Sequence, residues 1–149
     1  MDETQKPDGK RLLRTPAVLV WLRLARVFQK VDRASVEHLR GWGLSVAQFD
    51  VLAQVGAAEG ITQQEVAQSL LVTKGNVAQL LDRMEAAGLL RRRQDGRCNR
   101  LVLTDEGRAL HAAVAPAQEG LITRLFASLS PDERVALLAT LRRLDHALS

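Results

Sequence analysis

The sequence predicts a mostly α fold with a small β-wing: a winged helix-turn-helix core flanked by N- and C-terminal dimerisation helices. Three observations predict it. Thr62 and Glu65 stand at the T-x-x-E spacing of a capping box, and a second helical pattern follows after a short turn, the frame of a helix-turn-helix. Asp95-Gly96 then separates two β-compatible runs, which carry five arginines within ten residues. On either side, residues 15–40 and 105–149 hold helical patterns with more apolar surface than a short chain covers by itself.

In chain order, Met1 to Arg14 is polar, holds Pro7 and Gly9, and is expected to be frayed. Thr15-Pro16 reads as an N-cap with proline at the first helical position. A long helix should follow to about Leu39. Val18, Trp21, Leu22, Ala25, Phe28 and Val31 recur at helical spacing, and Leu24 and Val27 add a second apolar flank. A helix apolar on more than one side needs more than one partner, which points to a subunit interface. Gly41-Trp42-Gly43 ends it. Ser45 and Gln48 form another capping box, S-x-x-Q, opening a helix that turns Phe49, Leu52 and Val55 inward and stops at Gly56. Ala57 to Gly60 is loop, and Ile61 should add one strand residue to the wing sheet. The map is thus a frayed 1–14 and one domain over 15–149, with dimerisation helices at 15–40 and 105–149 around a winged helix-turn-helix at 45–104.

The second helix of the central motif should begin near Thr73, whose hydroxyl can cap it, after a turn at Leu71-Val72. At about 100° per residue, Val77, Leu80, Leu81 and Met84 share one face, which is core. Gly75, Gln79, Asp82 and Ala86 lie opposite, flanked by Asn76, Ala78 and Arg83. Small residues let a helix approach base edges, and Gln or Asn can pair with adenine in the major groove. An ordinary solvated helix would carry a similar face. The hairpin after it decides between the two. Gly88 is a helix C-cap candidate, and the arginines follow it at once. A basic hairpin beside such a helix can lie along phosphates and place an arginine in the minor groove. Charge also protects edge strands, but the combined motif favours DNA.

After the wing, Thr104-Asp105-Glu106 caps a helix expected to reach about Ala127, with a kink at Pro116. Ser130 and Glu133 make a third capping box, with Pro131 in the first turn. The last helix carries a stripe of Val135, Leu138, Leu141, Leu144 and Leu148. Neither flank has a core of its own, so association of two copies is the economical way to cover these stripes.

Composition agrees. The 149 residues are 46% hydrophobic and 26% charged, as in a globular chain, and 3% aromatic, so the core is built of Leu, Val and Ala. Net charge is +4. Residues 62–104 hold seven basic and four acidic residues, a net +3, so the positive charge gathers at the DNA motif. One cysteine, Cys98, allows no internal disulfide and fits a reducing cytoplasm. No signal-peptide pattern and no apolar run of membrane-spanning length is present, so no membrane partner is expected.

Other chemistry finds little footing. His38, His111 and His146 stand far apart, with no H-x-x-x-H or C-x-x-C spacing, and read as surface or helix-end residues. No nucleophile elbow or phosphate loop is present, so no enzyme activity, metal or cofactor is expected. Cys98 lies beside Arg97 and Arg100, whose charge favours the thiolate. Oxidation there is the minor reading and an ordinary wing residue the major one.

These motifs resemble the MarR (multiple antibiotic resistance regulator) family of winged-helix transcription factors. The matching stretches are Leu44 to Leu52, Thr62 to Ala67, Val72 to Val77, Leu81 to Leu89, and Asp95-x-Arg97 followed by Leu103-Thr104. The resemblance spans about Pro16 to Leu148. It implies a homodimeric regulator, more often a repressor, on double-stranded, pseudo-palindromic DNA. It also implies a small-molecule effector bound between the dimerisation helices and the winged lobe, for which Trp21, Phe49 and Asp50 are candidates. Residues and resemblance together nominate Thr73, Lys74, Gly75, Asn76, Gln79, Arg83, Arg93, Asp95, Arg97 and Arg100 as the DNA-binding set. Within it Arg97 is the minor-groove probe and Asp95 holds the hairpin. One departure stands out. Family wings usually carry about three more residues before the Asp-x-Arg pair, so this wing should be shorter. Peroxide-sensing members place their reactive cysteine in the first long helix, where this chain has none. The competing reading is an architectural protein that binds DNA without regard to sequence; a module that only dimerises would bind none.

Overall fold

The computed structural model describes residues 15–70 and 76–149. These form six helices and one hairpin: α1 (Pro16–Arg40), α2 (Val46–Ala57), α3 (Gln63–Ser69), α4 (Val77–Ala86), β1 (Leu90–Asp95), β2 (Cys98–Leu103), α5 (Asp105–Leu125) and α6 (Pro131–Leu148). Local sequence explains where most of them start. At Ser45, Thr62 and Ser130 the hydroxyl accepts the backbone N–H three residues on, and the Gln48, Glu65 or Glu133 side chain accepts the cap's own N–H. Each box satisfies two donors that a helix start would leave without partners. Thr104 caps α5, its hydroxyl accepting from the Gly107 N–H at 3.0 Å.

One start differs from the expectation. The helix predicted from Thr73 begins at Val77, capped by Asn76, whose side-chain oxygen accepts from the Gln79 N–H at 3.1 Å. Asn is as good a cap as Thr, and here the later residue takes the role. Thr73, with Leu71, Val72, Lys74 and Gly75, lies outside the described residues, as does the frayed segment predicted for Met1 to Arg14. The far end of α4 closes on Gly88 in the left-handed region, φ 76°. Leu89 N–H reaches Met84 O and Gly88 N–H reaches Glu85 O, the paired bonds of a Schellman motif.

β1 and β2 pair antiparallel from Leu90↔Leu103 to Asp95↔Cys98. The two-residue turn is therefore Gly96-Arg97, one residue later than the predicted Asp95-Gly96, because Asp95 still belongs to the ladder. Gly96 carries the positive φ, 59°, that the first turn position requires. The predicted third strand residue is a bridge at Thr62↔Arg100, one residue beyond Ile61, whose carbonyl accepts from Leu101 N–H at 2.9 Å.

One core joins α2 to α4 and the hairpin. α2 supplies Val51, Leu52 and Val55, α3 supplies Val66, α4 supplies Leu81 and Met84, and the hairpin supplies Leu90 and Leu101, all fully or almost fully buried. Val77 and Leu80, predicted as core, pack against its margin. The chain divides into two compact units within α1, after Ala34, where the sequence suggested one domain over 15–149. Up to Ala34 the helix leaves its large apolar side chains exposed, Trp21 at 64% and Phe28 at 54% among them, whereas Ser35 and Leu39 are buried. α5 continues past Pro116 to Leu125, two residues short of the predicted end. α6 has no buried residue at all.

A polar link that the sequence did not reveal joins α1 to α5. Gln118, nine-tenths buried, donates to the Ser35 hydroxyl at 3.0 Å, and its carbonyl accepts from the His38 ring at 2.8 Å. His38 is the helix-end residue the sequence suggested, in the last turn of α1, and this bond also ties it to α5. No described helix is long and apolar enough to cross a membrane.

Candidate nucleic-acid interface

The second helix of the motif, α4, buries Leu81 and Met84 and leaves Asn76, Ala78, Gln79, Asp82, Arg83 and Ala86 exposed, as its apolar period requires. Gln79 lies in the first turn, the part of a recognition helix that meets base edges. Asn76 changes role: as the N-cap it stands outside the helical wheel on which the sequence reading placed it. Its carbonyl is engaged by Gln79 N–H, so a bidentate contact with adenine would have to break the cap. Arg83 is exposed in the last turn.

The hairpin sorts its arginines by strand parity. Leu90, Arg92 and Gln94 alternate with Arg91, Arg93 and Asp95, and the register places Arg92 opposite Leu101 and Arg93 opposite Arg100. Arg92 thus lies on the side that carries buried Leu90, Leu101 and Leu103. Its guanidinium turns to α4, and its side chain is only 19% exposed. Arg91, Arg93 and Arg97 are not buried by the core, and none forms an ion pair among the described residues. Arg97 occupies the turn itself, at the tip.

Arg100 is held from two sides. Nε donates to Asp95 Oδ2 at 2.7 Å and Nη1 donates to Gly60 O at 3.0 Å. The hydrogen bond to Asp95, together with that carboxylate's charge, raises the Arg100 pKa above its ordinary value. Asp95 therefore pairs across the ladder with Arg100 and not with Arg97. The pair also offsets the charge of Arg100, which stands opposite the like-charged Arg93 in the ladder. Behind the wing, Glu59 accepts the Leu103 N–H at 3.2 Å and pairs with Arg108 at 3.2 Å. Glu65 has its pKa lowered, first by the backbone hydrogen bond from Thr62.

Of the nominated DNA set, Asn76, Gln79, Arg83, Arg93, Asp95, Arg97 and Arg100 fall on α4, its cap and the hairpin. Thr73, Lys74 and Gly75 lie outside the described residues. Of the effector candidates, Trp21 is exposed on α1 and Asp50 is half-buried on α2. Phe49 packs near His111, with ring centroids 6.2 Å apart. Cys98 is exposed and opposite Asp95 at the last ladder position. Sequence reasoning passed over Arg92, Glu59 and Gly107. A Cβ on Gly107 would lie 2.0 Å from Leu89 O, so the start of α5 sits directly on the residue that precedes β1.

The comparisons with known proteins agree with this geometry. A MarR family model matches residues 42–97, from the turn after α1 to the wing turn. An uncharacterised HTH-type transcriptional regulator of Bacillus cereus is 33% identical over 128 residues, covering 86% of this chain and 87% of that protein. Among solved structures, a MarR variant of Escherichia coli complexed with operator DNA is similar at TM-score 0.77 and 27% identity, covering 86% of this chain and 94% of that one. BpsR of Bordetella bronchiseptica, whose DNA binding is regulated by 6-hydroxynicotinic acid, is similar at TM-score 0.77 and 27% identity, covering 85% and 98%. With its helix-turn-helix, its arginine hairpin and these relatives, the chain belongs to the MarR family of winged helix-turn-helix, DNA-binding transcriptional regulators.

Proposed function

We propose that the protein is a homodimer that reads a pseudo-palindromic operator and represses transcription until a small-molecule effector or another signal releases it. The observation that carries this reading is the joint display of Gln79 and Arg83 on α4 and Arg97 at the tip of the hairpin. The first two suit the major groove and the last suits the minor groove or the adjoining phosphates. Support for two copies comes from α6, which buries none of its residues, with Val135 at 69% and Leu148 at 77% exposure. Two-fold pairing would set the half-sites about one helical turn apart. Support for effector release comes from BpsR, a relative regulated by an aromatic acid.

The test is a protection footprint on the DNA upstream of the protein's own gene, followed by affinities for the protected duplex and a random one at several salt concentrations. Protection of two half-sites, with tighter binding to the protected duplex, is the expected result. Equal affinity for both duplexes would favour a sequence-nonspecific architectural role, and no binding at low salt would remove DNA from the function.

A further inference from the structure

We propose that Arg92 is a positioning residue, which locks the wing to the recognition helix through Asp82 and contacts no phosphate itself. The inference rests on the DNA-binding reading and deepens it. Arg92 is the wing arginine that faces the core side of the hairpin, and its side-chain hydrogen bonds and ion pairs run to α4. Nη1 donates to Asp82 Oδ1 at 2.5 Å and Nη2 donates to Ala78 O at 3.0 Å. Its backbone N–H donates to Glu85 Oε2 at 2.8 Å, and Nη1 stands 3.9 Å from Glu85 Oε1. Residues 78, 82 and 85 are spaced i, i+4 and i+7, so one strand residue grips a continuous face along most of a ten-residue helix.

The chemistry of the contact requires arginine. A planar fork can meet a carboxylate with one nitrogen and a carbonyl with the other, whereas an ammonium is a single point charge. Apolar contacts between Leu81, Met84 and Leu90 hold helix and strand together but carry little directional preference. The hydrogen bonds of Arg92 are directional and fix the angle between the two. The pair has a second effect. Asp82 lies on the exposed face of α4, with its side chain 63% exposed. Unpaired, its carboxylate would oppose phosphates; paired with Arg92, it is neutralised in place.

The test uses the full chain and the variants Arg92→Lys, Arg92→Gln and Asp82→Asn. Without DNA, tryptic cleavage at Arg91, Arg93 and Arg97 reports how firmly the wing is held. With DNA, two quantities are read: the affinity ratio between cognate and random duplexes, and the slope of log affinity against log salt. Arg92→Lys should speed wing cleavage and lower the affinity ratio roughly tenfold, the size of one lost base contact, with the salt slope unchanged. Asp82→Asn, a mild change at an exposed side chain, should act in the same direction and covers the case in which an Arg92 variant fails to fold. If Arg92 is a phosphate contact, Arg92→Lys will be nearly silent and Arg92→Gln will reduce the salt slope by about 1 with the affinity ratio kept; that result overturns the proposal. If the pair only supports folding, both affinities will fall with the folded fraction and their ratio will hold, which also overturns it. Should the wild type bind no DNA at low salt, the DNA-binding reading fails, and cleavage alone judges the clamp: faster cutting in Arg92→Lys upholds it and unchanged cutting overturns it.

Discussion

At the scale of single residues, position in the ladder decides what each arginine does. Arg97 stands in the turn with no ion pair among the described residues, so the core does not depend on it. Arg97→Ala should change stability by under ~0.5 kcal/mol. It should weaken DNA binding and reduce the salt slope by about 1. An unchanged affinity and slope would take the wing tip out of the interface. Gly107 is the opposite case, with a demand set by the fold. Ala is the better helix former, by ~1 kcal/mol, yet its Cβ would collide with Leu89 O. The collision should win, and Gly107→Ala should lower stability by ~1–3 kcal/mol; thermal or denaturant unfolding checks the sign. These assignments were not legible in the sequence. Five arginines look alike until the register fixes their parity, and that register depended on a turn one residue away from where Asp-Gly suggested. Gly107 owes its role to a backbone approach from another element, which no local pattern encodes.

At the scale of elements, what is encoded within four residues was legible and what depends on distant partners was not. The three capping boxes form as their spacing implies, and Gly88 closes α4. The start of α4 was misplaced because Thr73 and Asn76 are both competent caps, three residues apart. The link from Ser35 and His38 to Gln118 spans about 80 residues of sequence and left no signal there. The boxes also make a pH prediction. Glu65 has a folded pKa below its ordinary value because its carboxylate accepts the Thr62 N–H. Its stabilisation is therefore fully present above the ordinary glutamate pKa and is lost as pH falls through the lowered one. Acid titration of stability should show a component in that window which Glu65→Gln lacks. Superimposable acid limbs for the two proteins would mean that the box contributes nothing that depends on charge.

At the scale of the whole molecule, the uncovered stripes of α1 and α6 make the strongest demand. Side chains such as Leu138 and Leu144, at 48% and 43% exposure, are left in water by the single chain. Sedimentation of the full chain at micromolar concentration should give a dimer, and a chain ended at Ser128 should give a monomer that keeps its core, because α6 contributes no buried residue to it. A monomeric full chain would refute the two-fold reading; a dimer that survives truncation would place the interface elsewhere. The close seat of Gly107 on Leu89 has a further consequence within Ser35–Ser149. The Thr104 hydroxyl is bonded to Gly88 O, and the Thr104 N–H to Leu89 O. The end of α4, the root of the wing and the first turn of α5 therefore meet at one joint. A rotation of α5 should therefore emerge as a tilt of the hairpin. Paired labels on α5 and at the wing tip should move in step, and independent motion of the two would show the joint to be slack.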